Sequence, residues 1–298
     1  MINNITPSNN AITFQACYKS KFSKQLETAI KNNTPDQKLI DEFSKVFQQK
    51  KNSKYKIGAG RNGEVFRIDD YYVFKTYFND QPKIGEVKIS QPSIFQTLKT
   101  YYGGIVAKFG NIDIIKNVSN DAKKMLEMAS SKNNGEGAYK YCLEEFSQLP
   151  QSAIDNLAQD FKKLNEIHSS SLNYRFDTNN PNNFIKVGKS IRIVDDIDWV
   201  PCKNPNDFLS FINPFIQQGG DANLKKQLLK KCILASEKYQ LPMDDAFKYL
   251  KSKLDDIFKS VGIKENFEDF YQKMTNLRKN YPNQTERMKL ASEYINSL

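Results

Sequence analysis

The chain has 298 residues, 39% of them apolar and 26% charged, and its excess of lysine and arginine gives a net charge of +10. That size holds one large domain or two modest ones and excludes a miniprotein stapled together by disulfides or metal. The basic balance suits nucleotides, anionic surfaces or an acidic protein partner, and no stretch approaches the roughly 20 apolar residues that a spanning helix needs.

Cys17, Cys142, Cys202 and Cys232 lie far apart, with no C-x-x-C spacing and no clustered histidines to complete a zinc site. They read as reduced, mostly packed thiols. The N-terminus "MINNITPSNNAITFQ" lacks the basic-then-apolar order of a cleaved signal peptide, so a cytoplasmic protein is expected. Its polar, Asn-rich character also suits a non-cleaved signal for secretion into a host cell cytoplasm.

In chain order, residues 1 to 20 read as a flexible arm. "SKFSKQLETAI" and "PDQKLIDEFSKVFQQ" read as two helices, the second opening at Pro35 behind Thr34 as its cap. From Lys54 the texture changes to short β-rich runs, "KYKIGAG", "GEVFRI" and "YYVFKTY", which predict a three-stranded antiparallel meander. "IGEVKISQPSIFQTLKTYYGG" has a helical composition, bent or split at Pro92, followed by strand-like "GIVAKFGNIDII" and a helix over "DAKKMLEMAS". Residues 131–137 read as a loop and "AYKYCLEEF" as a strand, leading through Pro150 into an amphipathic helix, "SAIDNLAQDFKKLNEIH". The loop "SSSLNYRFDTNNPNN" and the hairpin "FIKVGKSIRIVDD" come next, and the remainder is almost entirely helical in pattern. β-rich residues thus precede helix-rich ones, an α+β order, with chemistry-bearing residues near the junction, where ligands often bind.

Two constellations carry chemistry. The stretch "YKIGAGRNGEVFRIDDYYVFKTY" sets Gly58, Gly60 and Gly63 in a G-x-G-x-x-G-x-V frame and follows them with Lys75 at the end of a V-x-K run. A plain glycine hairpin would look similar, and the dinucleotide-binding version of the motif opens a helix. Here it opens a strand, so the backbone of a β-hairpin can approach phosphates, Val65 can cover an adenine ring and Lys75 can reach back beneath the loop. In "YRFDTNNPNNFIKVGKSIRIVDDID", Asp177, an Asn at 182 or 183, and Asp195 occur in the order that phosphoryl transfer uses. One carboxylate orients the attacking hydroxyl, and a carboxylate with an amide oxygen holds Mg²⁺.

Taken together these residues resemble the protein kinase-like superfamily over roughly Lys54 to Asp198. "KLNEIHSSSLNYRFD", "PNNF" and "IRIVDDI" are similar to that family's catalytic loop, P-x-N and D-F-G segments. The resemblance implies a bilobal fold with a β-rich N-lobe over 51–146, a helical C-lobe over 147–298, and an N-terminal arm with accessory helices over 1–50. It further implies ATP and Mg²⁺ as cofactors, with Lys75 on the phosphates, Asp177 orienting the acceptor, Asn182 or Asn183 on metal and Asp195 as the main metal ligand. Glu86, with Glu127 behind it, would form the ion pair with Lys75. "YCLEEF" would present the backbone of Glu144 to Phe146 to adenine.

The pattern also departs from the family. Phe176 separates Tyr174-Arg175 from Asp177, the spacing from Asp177 to Pro181 is one residue longer than usual, the D-F-G position reads Asp195-Asp196-Ile197, and no A-P-E anchor follows, so activation-loop phosphorylation is not expected. Such trimming looks like the compact Ser/Thr kinases that some Gram-negative bacteria inject into host cells, acting on a protein substrate. Small-molecule kinases of the aminoglycoside phosphotransferase type, or a pseudokinase binding module, are the alternatives. Lys residues are spread out and no aromatic RNA-binding strand motif occurs, so no specific nucleic acid partner is expected. His168 reads as a packing or capping residue and Trp199 as core or a pocket wall.

Overall fold

The computed structural model describes residues 17–59, 62–90, 97–118, 136–167, 173–176, 183–194, 196–200, 208–212, 215 and 220–298. The expected helix over 121–130, Glu127, His168 and Cys202 lie outside them, as does the side chain of Trp199.

Helix α1 (Lys21–Asn32) is capped by Ser20, whose side chain accepts from the Ser23 amide, and buries Phe22, Leu26 and Ala29 along one stripe. Helix α2 (Gln37–Lys50) begins behind Asp36, which accepts from the Leu39 amide. The cap is therefore Asp36 and not Thr34. A carboxylate placed two residues later in the chain reaches the free amides of the first turn.

The strands β1 (Lys56–Ala59), β2 (Gly63–Arg67), β3 (Tyr72–Tyr77), β4 (Val87–Ile89), β5 (Ile105–Phe109) and β6 (Ile112–Lys116) form one antiparallel sheet, in the order β1-β2-β3-β6-β5-β4. The predicted meander is β1–β2–β3, and "GIVAKFGNIDII" divides into the hairpin β5–β6. One face carries Phe66, Phe74, Phe109, Ile112 and Ile114, and packs against Phe22, Leu26, Leu39 and Phe43 of the two accessory helices. The Phe43 and Phe109 ring centres lie 4.4 Å apart.

The region read as helical from Ile84 is different in structure. Residues 81–86 are irregular, and Val87–Ile89 pair with β5 as the outermost described strand of the sheet. Val87 enters the sheet core while Lys88 is exposed, an alternation that satisfies a strand and wastes a helix face.

A buried carboxylate joins α1 to the sheet. Asp69, in the β2–β3 turn, accepts from the Ser20, Tyr71 and Tyr72 amides at 2.8, 2.8 and 3.1 Å and from the Ser23 hydroxyl. Burial pushes its carboxyl up, but the hydrogen bonds from Ser20, Ser23 and Tyr71 outweigh this and hold it below the ordinary 3.8. A carboxyl depressed by folding stabilises the protein above its unfolded pKa and loses that contribution as pH falls through the lower folded value. Asp69→Asn is expected to cost about 1.5–3 kcal/mol at neutral pH and to flatten the stability profile below pH 3.8. Denaturant midpoints measured from pH 7 down to pH 2 check both effects.

The second half contains α3 (Glu136–Ser147), α4 (Gln151–Glu166), β7 (Asn173–Phe176), the hairpin β8 (Phe184–Val187) and β9 (Ser190–Ile193), and β10 (Asp196–Val200). Helices α5 (Ala222–Tyr239), α6 (Asp244–Ser260), α7 (Phe267–Asn280) and α8 (Gln284–Ser297) follow. They enclose a second apolar core that includes Phe146, Phe161, Phe184, Phe211 and Phe215. Cys142 and Cys232 are free thiols within it, and burial pushes both thiols up. Leu98 and Tyr101 also belong to this core, so the segment before β5 ties the sheet to the helices. Asp160 on α4 is 0% exposed and accepts from the Lys99 amide at 3.0 Å, the Thr100 amide at 2.6 Å and the Thr100 hydroxyl at 2.7 Å. No described helix is long and apolar enough to cross a membrane.

Candidate functional site

Cross-strand register sets the first group of residues. Gly58 pairs with Val65, Val65 with Lys75, Lys75 with Asp113, Asp113 with Lys108, and Lys108 with Lys88. Because strand side chains alternate and Phe66, Phe74 and Ile114 enter the accessory-helix core, this row projects from the opposite face. Gly58, Val65 and Lys75 are therefore brought side by side, as the meander requires. Gly63 pairs with Tyr77 one row along, and a Cβ added there would lie 2.0 Å from the Thr76 carbonyl oxygen. Close approach of β2 to β3 is thus a structural reason for this glycine, independent of any phosphate. Gly60 lies outside the described residues.

Lys75 is half-buried and its ammonium stands 5.2 Å from the centre of the Tyr77 ring. The Tyr77 hydroxyl donates to the carboxylate of Asp113, which is 1% exposed, and the Lys108 ammonium lies 3.3 Å from the same carboxylate. Motif spacing singles out neither Asp113 nor Tyr77. The available signal is a carboxylate flanked by isoleucines in "IDIIK", where burial without a partner is costly.

Glu86 does not occupy the expected position on a helix behind Lys75. It precedes β4, its side chain is 80% exposed, and it faces Lys88 at 3.9 Å. Two exposed ends at that distance interact weakly.

"YCLEEF" is also different in structure from the expected strand and hinge. It lies within α3, where Cys142, Leu143 and Phe146 turn inward at helical spacing and Phe146 is 0% exposed. The amides of this last turn are engaged within the helix, the Glu144 carbonyl accepts from the Ser147 hydroxyl and the Phe146 carbonyl from the Leu149 amide at 3.1 Å, so Glu144 to Phe146 do not present an extended backbone edge. Phe146 packs against Phe184, Phe211 and Phe215, and Glu145 pairs with Lys186 of β8 at 2.6 Å.

Of the remaining residues, Asn183 is described, directly before β8. Asn183 is buried, and its carbonyl accepts from the Val194 amide at 3.0 Å, closing the base of the β8–β9 hairpin. Phe176 and Asp196 are partners in the antiparallel pair β7–β10. Asp177 and Asp195, the chain neighbours of these two residues, lie outside the described residues, as does Asn182. Phe176, the extra residue before Asp177, is a core side chain, packed between the rings of Phe161 at 5.3 Å and Tyr101 at 6.3 Å.

The β9 end of this group is fixed to the segment that leads into β5. The Tyr102 and Gly103 amides donate to the Ile193 carbonyl at 2.7 and 3.2 Å, and the Ile193 amide donates to the Thr100 carbonyl at 2.8 Å. Gly103 permits this approach, since a Cβ there would lie 2.3 Å from the Val194 carbonyl oxygen. The sheet that carries Lys75 and the hairpin that carries Asn183 are thus tied through Thr100 to Gly103. Compared with known proteins, the chain matches no family model, no curated protein and no solved structure.

Proposed function

We propose that the chain is a bilobal, kinase-like phosphotransferase that uses MgATP and acts on Ser or Thr hydroxyls of a protein. The observation that carries this reading is the row Gly58–Val65–Lys75 on one sheet face, at the end of a glycine-bearing hairpin. Its lysine suits phosphate and its valine an adenine ring. The donor set also fits the implied metal, because Asp195 and an Asn at 182 or 183 are hard oxygen ligands of the kind Mg²⁺ prefers. When bound, MgATP supplies the phosphoryl group. Lys75 holds phosphate oxygens, Val65 covers the base, and Asp177 orients the acceptor hydroxyl and takes up its proton.

Two family roles are reassigned. Exposed Glu86 has no part in holding Lys75, and the Glu144–Phe146 helix has no part in reading adenine. An excess of basic charge would favour an acidic surface on the protein substrate.

MgATP at about 100 times its dissociation constant is expected to add roughly 2.7 kcal/mol of stability. A thermal melt with and without millimolar MgATP reads this as a raised midpoint, and Lys75→Ala should shrink the shift. An unchanged wild-type melting curve would falsify the nucleotide reading.

A further inference from the structure

β1 enters the sheet at Lys56 and β2 leaves it at Arg67, both at the end away from the glycine-bearing turn that joins them. A cleft of about 500 Å³ opens at that end, in the size range of about 300–1,000 Å³ that holds small ligands. Three stretches of chain wall it: Tyr18 ahead of α1, Lys50 with residues 54–57 between α2 and β1, and residues 67–70 at the β2–β3 turn. We infer that this cleft is a second ligand site, and that it takes a compact phosphate ester with two or more phosphate groups, free in solution or as a lipid headgroup. It shares no residue with Gly58, Val65 and Lys75, so the inference is independent of the nucleotide reading.

The charges in the cleft decide the ligand. Both of its carboxylates are already engaged. Asp69 is 3% exposed and accepts from three amides and the Ser23 hydroxyl, while Asp70 accepts from Arg67 and from the Tyr18 amide at 2.6 Å. Two of the cations are matched as well, Arg67 by Asp70 and Lys56 by Glu64 at 2.6 Å. Lys50 and Lys54 are not. Neither ammonium pairs with a carboxylate among the described residues, and both stand beside the Tyr55 ring, at 3.8 and 5.6 Å from its centre. Lys50 ends α2, where a cation suits the carbonyl end of the helix. Lys54, in the short turn that follows, has no such local reason. Two like charges around one ring repel each other, and an anion seated between them removes that cost. Lysine binds phosphate as a point charge, without a fixed fork. The site therefore selects for charge and size, and a ligand with several phosphate groups reaches both ammonium groups. Because the cleft is walled by both ends of the accessory helical segment and by the sheet, an occupant clamps that segment to the sheet.

The test uses the full chain with inositol hexakisphosphate as the soluble probe. Phosphatidylcholine vesicles containing either phosphatidylinositol bisphosphate or phosphatidylserine at equal charge form the membrane arm. The soluble probe should raise the thermal midpoint and shield Lys50 and Lys54 from brief acylation, read by mass spectrometry, while exposed Lys31 and Lys38 of the same two helices stay reactive. Lys50→Gln with Lys54→Gln should weaken binding at least about tenfold. Both side chains reach solvent, so this variant keeps the fold. Lys31→Gln with Lys38→Gln, which removes the same charge nearby, should leave binding unchanged, as should Lys75→Ala.

Vesicle binding that needs the phosphorylated headgroup and is lost in the Lys50, Lys54 variant assigns the site to a lipid. Binding of the soluble probe without vesicle retention assigns it to a free ester. Failure of both probes, equal losses in the two lysine pairs, or loss in Lys75→Ala overturns the inference. A melting response to MgATP in a chain that ignores both probes removes this site and leaves the nucleotide reading standing.

Discussion

Glu237→Gln should cost about 3–5 kcal/mol of stability, because it leaves two guanidinium groups facing each other without their carboxylate. Glu237 on α5 is 0% exposed and accepts from Arg278 Nε of α7 at 2.7 Å and from Arg287 Nε of α8 at 2.9 Å. A second donor of each arginine closes a helix end: Arg278 donates to the Leu241 carbonyl at 3.1 Å, and Arg287 to the Tyr281 and Pro282 carbonyls at 2.9 and 3.3 Å. One side chain therefore fixes three helices. Replacing it with an amide of the same shape removes the charge and sets an NH2 donor against one of the two arginine donors, so the loss combines the charge with one hydrogen bond. Urea midpoints at low and high salt check the result. A cost below about 1 kcal/mol, typical of exposed pairs, would mean that the two arginines reach solvent when the carboxylate is gone.

The second large effect is expected at Asp177. If it orients the acceptor hydroxyl, Asp177→Asn removes the base while leaving Lys75, Val65 and the metal ligands in place. Phosphate transfer should fall on the order of 10² to 10⁴-fold. MgATP binding, read by the melting shift, should persist. Phe176, the residue before Asp177, is packed between Phe161 and Tyr101. A mutant that transfers phosphate as fast as wild type would show that another group does this work.

Legibility of the fold follows the strength of local signals. Helix α4 and the C-terminal helices carry apolar residues at a 3.6-residue period, and the β1–β2–β3 meander is punctuated by glycines and by the Asp69-Asp70 turn, so both are readable. The α3 segment reads as a strand because a short aromatic and apolar run such as "AYKYCL" satisfies either period. Its burial against Phe184 and Phe215 decides for the helix. Val87–Ile89 reads as a helix for the converse reason: its charged surroundings resemble an exposed helix, and pairing with β5 overrides composition.

The site divides the same way. Gly58, Val65 and Lys75 come together because they lie on consecutive strands. The Lys75–Asp113 adjacency links strands far apart in sequence, and only register reveals it. Gly63 is a reminder that a motif glycine can be required by backbone packing alone.

Phosphate transfer is tested most directly by incubating the purified full chain with γ-labelled ATP and Mg²⁺, alone and with a mixture of acidic and basic protein acceptors. Wild type and Asp195→Ala are run side by side. Label on Ser or Thr of an acceptor, or of the chain itself, that disappears in Asp195→Ala is the expected result. Equal labelling by both proteins, or none by wild type under conditions where MgATP raises its melting midpoint, would contradict a phosphotransferase role.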